Sequence, residues 1–444
     1  MKSDVLLIKM KEYSAVKLAK SLPDKLFDVP PKKLKILIKP NWIREGATEN
    51  KNSWTSLITH PAVIEAIIIK LFTMLKEGSK ITIADGPDND ANFEKILEHY
   101  PIERWKIMAT EKNVKLEIKD LRDEKWEKLN GVVIKRTKLP KNPSFAFNLK
   151  GIFSEFFKHQ KSKRGYYGAD IDTDETNKFH DGENNVYRLA KCALEADIFI
   201  NVPKLKTHRK GGITCSLKNL VGITTDRNLL PHHNEGTVKE GGDQFSNASI
   251  IATAESKLLW SIKKISYQNA VVAVLYAFFK KIGEKIFGET SRTIRSGNWY
   301  GNDTVWRMIL DVNKIFFYQK AGKLLTRKPK GKKYIAIVDA VICGEGEGPL
   351  NPDTKKLGLI IAGTNPVAVD TVSSRLMGFD YNKIPQTKNA YKIKKLPLFS
   401  KTASEISVFL AGKKYLLENI PASVCTKFKP HFGWKNHIEI KNAK

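Results

Sequence analysis

The stretch from Asp197 to Gly222 limits the possible folds more than any other part of the chain. It reads Asp-Ile-Phe-Ile-Asn-Val-Pro-Lys-Leu-Lys-Thr-His-Arg-Lys-Gly-Gly-Ile-Thr-Cys-Ser-Leu-Lys-Asn-Leu-Val-Gly. Its first part, Ile198 to Val202, has the length and apolar character of a short buried strand, and it stops at Pro203. Lys204, Lys206 and His208 follow at i, i+2 and i+4, which puts all three on one face if the backbone stays extended. Gly211-Gly212 then permits a sharp reversal. Thr214 and Ser216 are suited to cap a short helical turn carrying Lys218 and Asn219. Open α/β sheets bind their ligands at the carboxyl ends of such strands. The stretch is therefore expected to be one wall of a site.

The same grammar recurs along the chain. Residues 4–9, 34–39, 80–84, 114–118, 334–338 and 357–362 read as strands, and 131–135 as an edge strand. Residues 14–27, 62–76, 92–99, 185–196 and 367–377 have helical spacing, while 149–186 reads as a long polar loop. Strand, helix and strand at this spacing predict βαβ units with right-handed crossovers. The expected architecture is α/β, with two lobes of largely parallel sheet flanked by helices and an inserted, mainly helical region. The N-terminal lobe would span 1–242, the insertion 243–330 and the C-terminal lobe 331–412. A basic, aromatic tail, 413–444, would pack back on the body, because Phe432 and Trp434 are costly to leave in water.

Lysine plus arginine number 76 against 47 aspartate plus glutamate, a net charge of +29. That favours anionic partners of any size. No nucleic-acid module is present and aromatics do not alternate with the basic runs, so nucleic acid is not an expected partner. Cys192, Cys215, Cys343 and Cys425 are scattered with no close pair, which argues against a disulfide scaffold and predicts no iron–sulfur cluster. The apolar run at 5–8 is too short for a secretory signal, and a cytoplasmic location is expected. The apolar helix around 269–279, followed by Lys280-Lys281, falls short of the about 20 residues a membrane span needs. It is expected in the core, with a membrane surface or a dimer interface as its alternatives.

Chemistry-bearing residues gather at predicted strand ends. Lys39, Asn41, Lys204, Lys206 and Asn219, with the amides of Gly346 and Gly348, form an anion-binding set. His208 and Lys218, ten positions apart around the glycine turn, are the acid–base candidates. Asp339, Glu345 and Asp370 offer oxygen ligands suited to a divalent metal. The loop Gly344-Glu-Gly-Glu-Gly-Pro349 lacks the Gly-Lys-Ser/Thr ending of a phosphate loop. Pro349 and Pro352 also exclude the helix that a dinucleotide fingerprint requires.

These residues resemble a family. Ile38-Lys-Pro-Asn-Trp42, Thr59-His-Pro61, Asn201-Val-Pro-Lys-Leu-Lys-Thr-His208, Ser216-Leu-Lys-Asn-Leu-Val-Gly222, Glu345-Gly-Glu-Gly-Pro349 and Gly363-Thr-Asn-Pro-Val-Ala-Val-Asp370 are similar to the motif set of the prokaryotic domain-of-unknown-function family 362. The resemblance implies no established reaction. Many members carry an added ferredoxin-like domain whose cysteine motifs are missing here. The Gly-Asn-Trp-Tyr-Gly-Asn-Asp-Thr element, 297–304, resembles a subgroup associated with surface-polysaccharide gene neighbourhoods. A more distant similarity is to the nickel-pincer lactate racemases, which have a His and, ten residues on, a Lys where His208 and Lys218 stand.

The resulting expectation is an enzyme that binds a small anionic or glycan-derived metabolite in a cleft between the lobes. Its chemistry would be isomerase-like acid–base work or metal-assisted transfer. The alternative is a non-catalytic binding or scaffold protein at an anionic inner-membrane surface.

Overall fold

The computed structural model describes residues 4–46, 53–169, 172–246, 269–287, 293–329 and 332–441, with the single positions 254, 258 and 262. Its centre is a mixed, mostly parallel sheet of eleven strands. In chain order these are β1 (Asp4–Lys9), β2 (Lys35–Lys39), β3 (Lys80–Asp85), β4 (Lys115–Asp120), β5 (Ile198–Asn201), β6 (Lys204–His208), β7 (Gly212–Thr214), β8 (Lys333–Glu345), β9 (Asp353–Gly363), β10 (Ser407–Leu410) and β11 (Lys413–Leu416). Across the sheet the order is β11-β10-β1-β9-β8-β5-β2-β3-β4. The half from β8 to β4 is parallel throughout, and β9 runs antiparallel between β8 and β1. The α/β class with helix-flanked, largely parallel strands is therefore as expected. The segments expected as separate lobes, however, share this one sheet, because β8 pairs directly with β5 and β9 pairs back onto β1.

Alternation along the strands sorts the side chains into two cores. Ile36, Ile38, Ile198, Ile200, Ile335 and Ile337 face the helix Pro61–Phe72 in one buried cluster. Leu37, Phe199, Tyr334, Ala336 and Val338 face the other way, in a cluster with the helices Val305–Tyr318 and Pro366–Leu376. Runs apolar on both faces are what a doubly covered sheet demands.

Pro203 divides what would be one strand. β5 lies along the first part of the long β8 and β6 along its second part, both parallel to it, with Asp339 N–H donating to Pro203 O at 2.9 Å. A bulge falls between Lys204 and Lys206. The join is sealed by a fully buried ion pair, Lys204 Nζ to Asp339 Oδ2 at 2.5 Å. Lys204 also donates to Tyr13 Oη and Ile342 O, each at 3.0 Å. Asp339 accepts from Tyr13 Oη–H and His60 N–H, each at 2.8 Å.

Three segments differ from expectation. Residues 149–186 are not simply a loop: they hold a short strand, Tyr166–Gly168, and a helix, Thr173–Phe179. Residues 185–196 are not one helix: Val186–Ala190 is a strand paired antiparallel with Ser144–Asn148, and only Lys191–Leu194 is helical. Tyr187 and Leu189 are buried while Val186 and Arg188 between them are less so, a period of two that outweighs helical propensity. The helix Ala270–Phe287 forms, but not in the core. It lies on a hairpin of Glu124–Leu129 and Val132–Lys138, where Ala273, Tyr276 and Ala277 are buried in a small cluster with Val132. The stretch expected as a separate tail begins as the edge strand β11, and further on Trp434 is fully buried, its indole N–H donating to Arg209 O at 2.7 Å.

Removing one partner of a buried, hydrogen-bonded ion pair strands the other charge. Asp339→Ala is therefore expected to cost about 3–5 kcal/mol in denaturant unfolding. The loss should be the same with and without a chelator; a chelator-dependent difference would restore a metal role to Asp339.

Candidate functional site

At the carboxyl edge of the parallel half, Lys39 of β2 and Asn201 of β5 are in register, with Asp85 at the end of β3. Lys39 Nζ donates to Asp85 Oδ1 at 2.6 Å, Pro40 O at 2.8 Å and Asn219 Oδ1 at 3.2 Å. Asp85 also accepts from Trp42 N–H at 2.7 Å and Gly86 N–H at 2.9 Å. Asn219 donates to Asn201 Oδ1 at 2.7 Å, and Asn201 donates to Ser216 O at 2.8 Å and Tyr334 Oη at 2.9 Å. Gly222 is required beside this network, since a Cβ there would lie 2.2 Å from Asp85 Oδ1.

The network holds a one-turn helix, Ser216–Asn219. Neither Thr214 nor Ser216 caps it. Its leading amides are taken by Asp370, which accepts from Ser216 N–H at 2.7 Å and Leu217 N–H at 3.2 Å. Burial raises the Asp370 carboxyl to about 7. Ser216, Leu217 and Asn219 are buried, and Lys218 alone reaches partly into solvent. Among the described residues no carboxylate lies within ion-pair distance of its amine. Burial first, then the charges of Arg227 and Lys39, bring the Lys218 amine down to about 8.

Around Lys218 the charge is lopsided. The buried Lys206 amine donates to Leu57 O, and burial followed by the Lys204 charge lowers its pKa well below the ordinary value. Burial, then Lys218 and Arg209, hold His208 neutral, and its Nδ1 accepts from Lys210 N–H at 3.1 Å and Gly211 N–H at 3.0 Å. The ring proton therefore sits on Nε2. His232 is also kept neutral, by burial and then Lys218, but with the opposite tautomer: Nδ1–H donates to Leu230 O at 2.8 Å, leaving Nε2 as an acceptor. Arg227 donates to Gly86 O, Pro87 O and, at 2.8 Å, Asp88 Oδ1. Arg209 feels Asp88, Tyr167 and Glu347 electrostatically but forms no ion pair among the described residues. Four cations and two neutral histidines thus share a neighbourhood with Asp85 and Asp88, and Asp85 is already held by Lys39.

Sequence reasoning named some of these side chains and misplaced others. Lys206, His208 and Lys218 come together. Lys39 and Asn219 lie beside them, but their polar atoms are spent on protein partners, so they position the helix and do not reach for a ligand. Lys204 is turned away to Asp339. Asn41 N–H donates to Thr59 Oγ1 and its carbonyl accepts from Thr59 N–H, while its Oδ1 has no partner among the described residues. Gly346 and Gly348 bind through packing: Gly346 N–H donates to Lys429 O and Gly348 N–H to Gly346 O, while their carbonyls accept from Thr207 Oγ1 and Arg209 N–H. Their amides are not available to an anion. The three carboxylates assigned to a metal stand apart, Asp339 with Lys204, Glu345 with Lys429 N–H, and Asp370 on the helix. Among the described residues no His, Cys, Asp and Glu side chains cluster as a metal site. Arg209, Arg227 and His232 were missed; Arg209 follows His208 directly, and His232-His233 was visible as an isolated pair.

Comparison with known proteins gives one match over most of the chain. The sequence model of the domain of unknown function DUF362 matches residues 36–146 and 160–375, the family that the motifs resemble. A crystal structure of a Thermotoga maritima protein is similar at a TM-score of 0.36 and 13% identity, covering 83% of this chain and 60% of that one. The lactate racemase apoprotein of Thermoanaerobacterium thermosaccharolyticum is similar at a TM-score of 0.29 and 11% identity, covering 83% of this chain and 56% of that one. The chain thus spans less than two thirds of either. No curated protein matches the sequence.

A lysine whose amine falls from about 10.4 unfolded to about 8 folded penalises the native state while it is charged. The penalty is complete below pH 8 and fades towards about 10.4, so this group makes stability rise with pH across that window. Lys218→Met is expected to stabilise the protein at neutral pH by about 1–2 kcal/mol, discounted for the amine's partial exposure. The gain should shrink above pH 8; a loss of stability at pH 7 would contradict the placement of Lys218.

Proposed function

The chain belongs to the DUF362 family, and we propose that it is an enzyme that binds a small anionic metabolite at the carboxyl edge of the sheet and moves a proton on it. The single observation that carries this reading is Lys218: partly exposed, without a carboxylate partner among the described residues, brought to about 8, and surrounded by cations and two neutral histidines. Uncompensated cations of this kind are costly to maintain and are characteristic of sites that await a negative ligand.

The division of labour follows from the protonation states. Arg209, which has no ion-pair partner among the described residues, supplies the positive charge for a carboxylate or phosphate. Lys218, half neutral near pH 8, is the base that takes a proton from carbon or oxygen next to that group. His208 Nε2–H donates to the oxygen on which negative charge develops, the role of a neutral, electrophilic imidazole. His232 Nε2 accepts from a substrate hydroxyl and orients it. This sharpens the expected acid–base pair: Lys218 titrates in the working range, whereas His208 stays a donor.

The test combines binding and exchange. Inorganic phosphate should raise the melting temperature of the wild-type protein, and much less that of Arg209→Ala. A panel of 2-hydroxy acids and sugar acids in deuterium oxide should lose a carbon-bound proton signal, at a rate that climbs to a plateau as pH passes 8. Lys218→Ala and His208→Ala should each lower that rate by roughly 10²–10⁴-fold. Exchange that survives both substitutions unchanged would refute the assignment.

A further inference from the structure

The helix Ala270–Phe287 exposes an apolar stripe that nothing in the proton-transfer reading uses. Val271 is 69% exposed, Phe278 62% and Phe279 64%, with Val274, Leu275 and Ile282 also open to solvent. These positions follow the i, i+3, i+4, i+7, i+8, i+11 pattern of one continuous helix face. The opposite face is the one that packs: Ala273, Tyr276 and Ala277 rest on Val132 of the Glu124–Lys138 hairpin. The helix is pinned there by Lys280 Nζ donating to Asn130 O at 3.1 Å and Asn130 Nδ2 donating to Ala277 O at 3.4 Å. At the hairpin tip Leu129 is exposed as well and extends the apolar surface.

The stripe has a cationic edge. Lys281, one residue before Ile282 and beside the stripe on the helix wheel, is exposed. The hairpin's carboxylates are already neutralised, Glu127 by Lys135 at 2.6 Å and Glu124 by Arg136 at 2.9 Å. Six large apolar side chains on one exposed face with a basic flank describe an interfacial helix, not a solvated one. Among the described residues no helix is long and apolar enough to cross a membrane, so the helix would lie on a surface. Pairing with a second copy through this face would bring Lys281 towards its own image in chains of charge +29. We propose that Ala270–Phe287 docks the protein on an anionic lipid surface, with Phe278 and Phe279 entering the headgroup region and the lysines meeting lipid phosphates.

Co-sedimentation of the full chain with vesicles tests this. The wild-type protein should pellet with vesicles of phosphatidylcholine and phosphatidylglycerol but not with phosphatidylcholine alone, and salt should release it. The double substitution Phe278→Ser, Phe279→Ser should weaken binding by roughly tenfold or more. Lys281→Glu, which leaves the stripe intact, should weaken it several-fold. Both variants change exposed positions, and unchanged circular dichroism checks that they fold. Absence of pelleting with anionic vesicles, or equal pelleting of the variants, would overturn the proposal. Self-association that the double variant abolishes, without vesicle binding, would overturn it in favour of a second copy.

Discussion

The buried contact between Lys39 and Asp85 is the constraint on which the site depends. Two charges taken out of water at the ends of neighbouring strands are unfavourable unless each finds further partners. Here each does. The lysine is shared among Asp85, Pro40 O and Asn219, and the carboxylate among Lys39 and the amides of Trp42 and Gly86. Because Asn219 belongs to both this network and the helix Ser216–Asn219, the ion pair fixes where that helix sits. Asp370 fixes its other end from a separate element. Lys218 is therefore presented by a turn of chain clamped at both ends, which is what the proposed role of a precisely placed base would require.

The same construction explains why the surroundings of Lys218 are so basic. Carboxylates at this edge are consumed by the scaffold: Asp85 by Lys39, Asp339 by Lys204, Asp370 by backbone amides. Burial first, and then the neighbouring positive charges, lower the Lys206 and Lys218 amines and hold His208 and His232 neutral, Lys218 being the largest charge acting on both rings. Stability given up at the site is what binding of the proposed anion would recover. The docking proposal for the helix Ala270–Phe287 uses the protein's excess positive charge independently, at a different surface.

Much of this was legible in the sequence because the signals are local. Alternating isoleucines, the stop at Pro203 and the turn at Gly211-Gly212 announce a buried strand followed by a reversal, and the structure places β5, β6 and β7 there. What stayed hidden depends on contacts distant in sequence. Nothing near Ser216 reveals that Asp370, 154 residues on, would cap its helix. Nothing near Lys204 reveals that a bulge and Asp339 would divert it from Lys206. The single sheet in place of two lobes follows from β9 returning to β1, a pairing between the ends of the chain. The helix at 270–287 read as a core element because its first half is apolar on most faces; the face that packs was chosen by Ala273 and Ala277, the small residues that let it approach the hairpin.

The most direct test of the central claim is the titration of the Lys218 amine itself, by NMR of selectively labelled lysine with Lys218→Met as the assignment control. The account predicts an amine that titrates near pH 8 and moves upward when inorganic phosphate is added, because a bound anion stabilises the charged form. An amine that titrates near the ordinary lysine value of about 10.4 and ignores phosphate would contradict it.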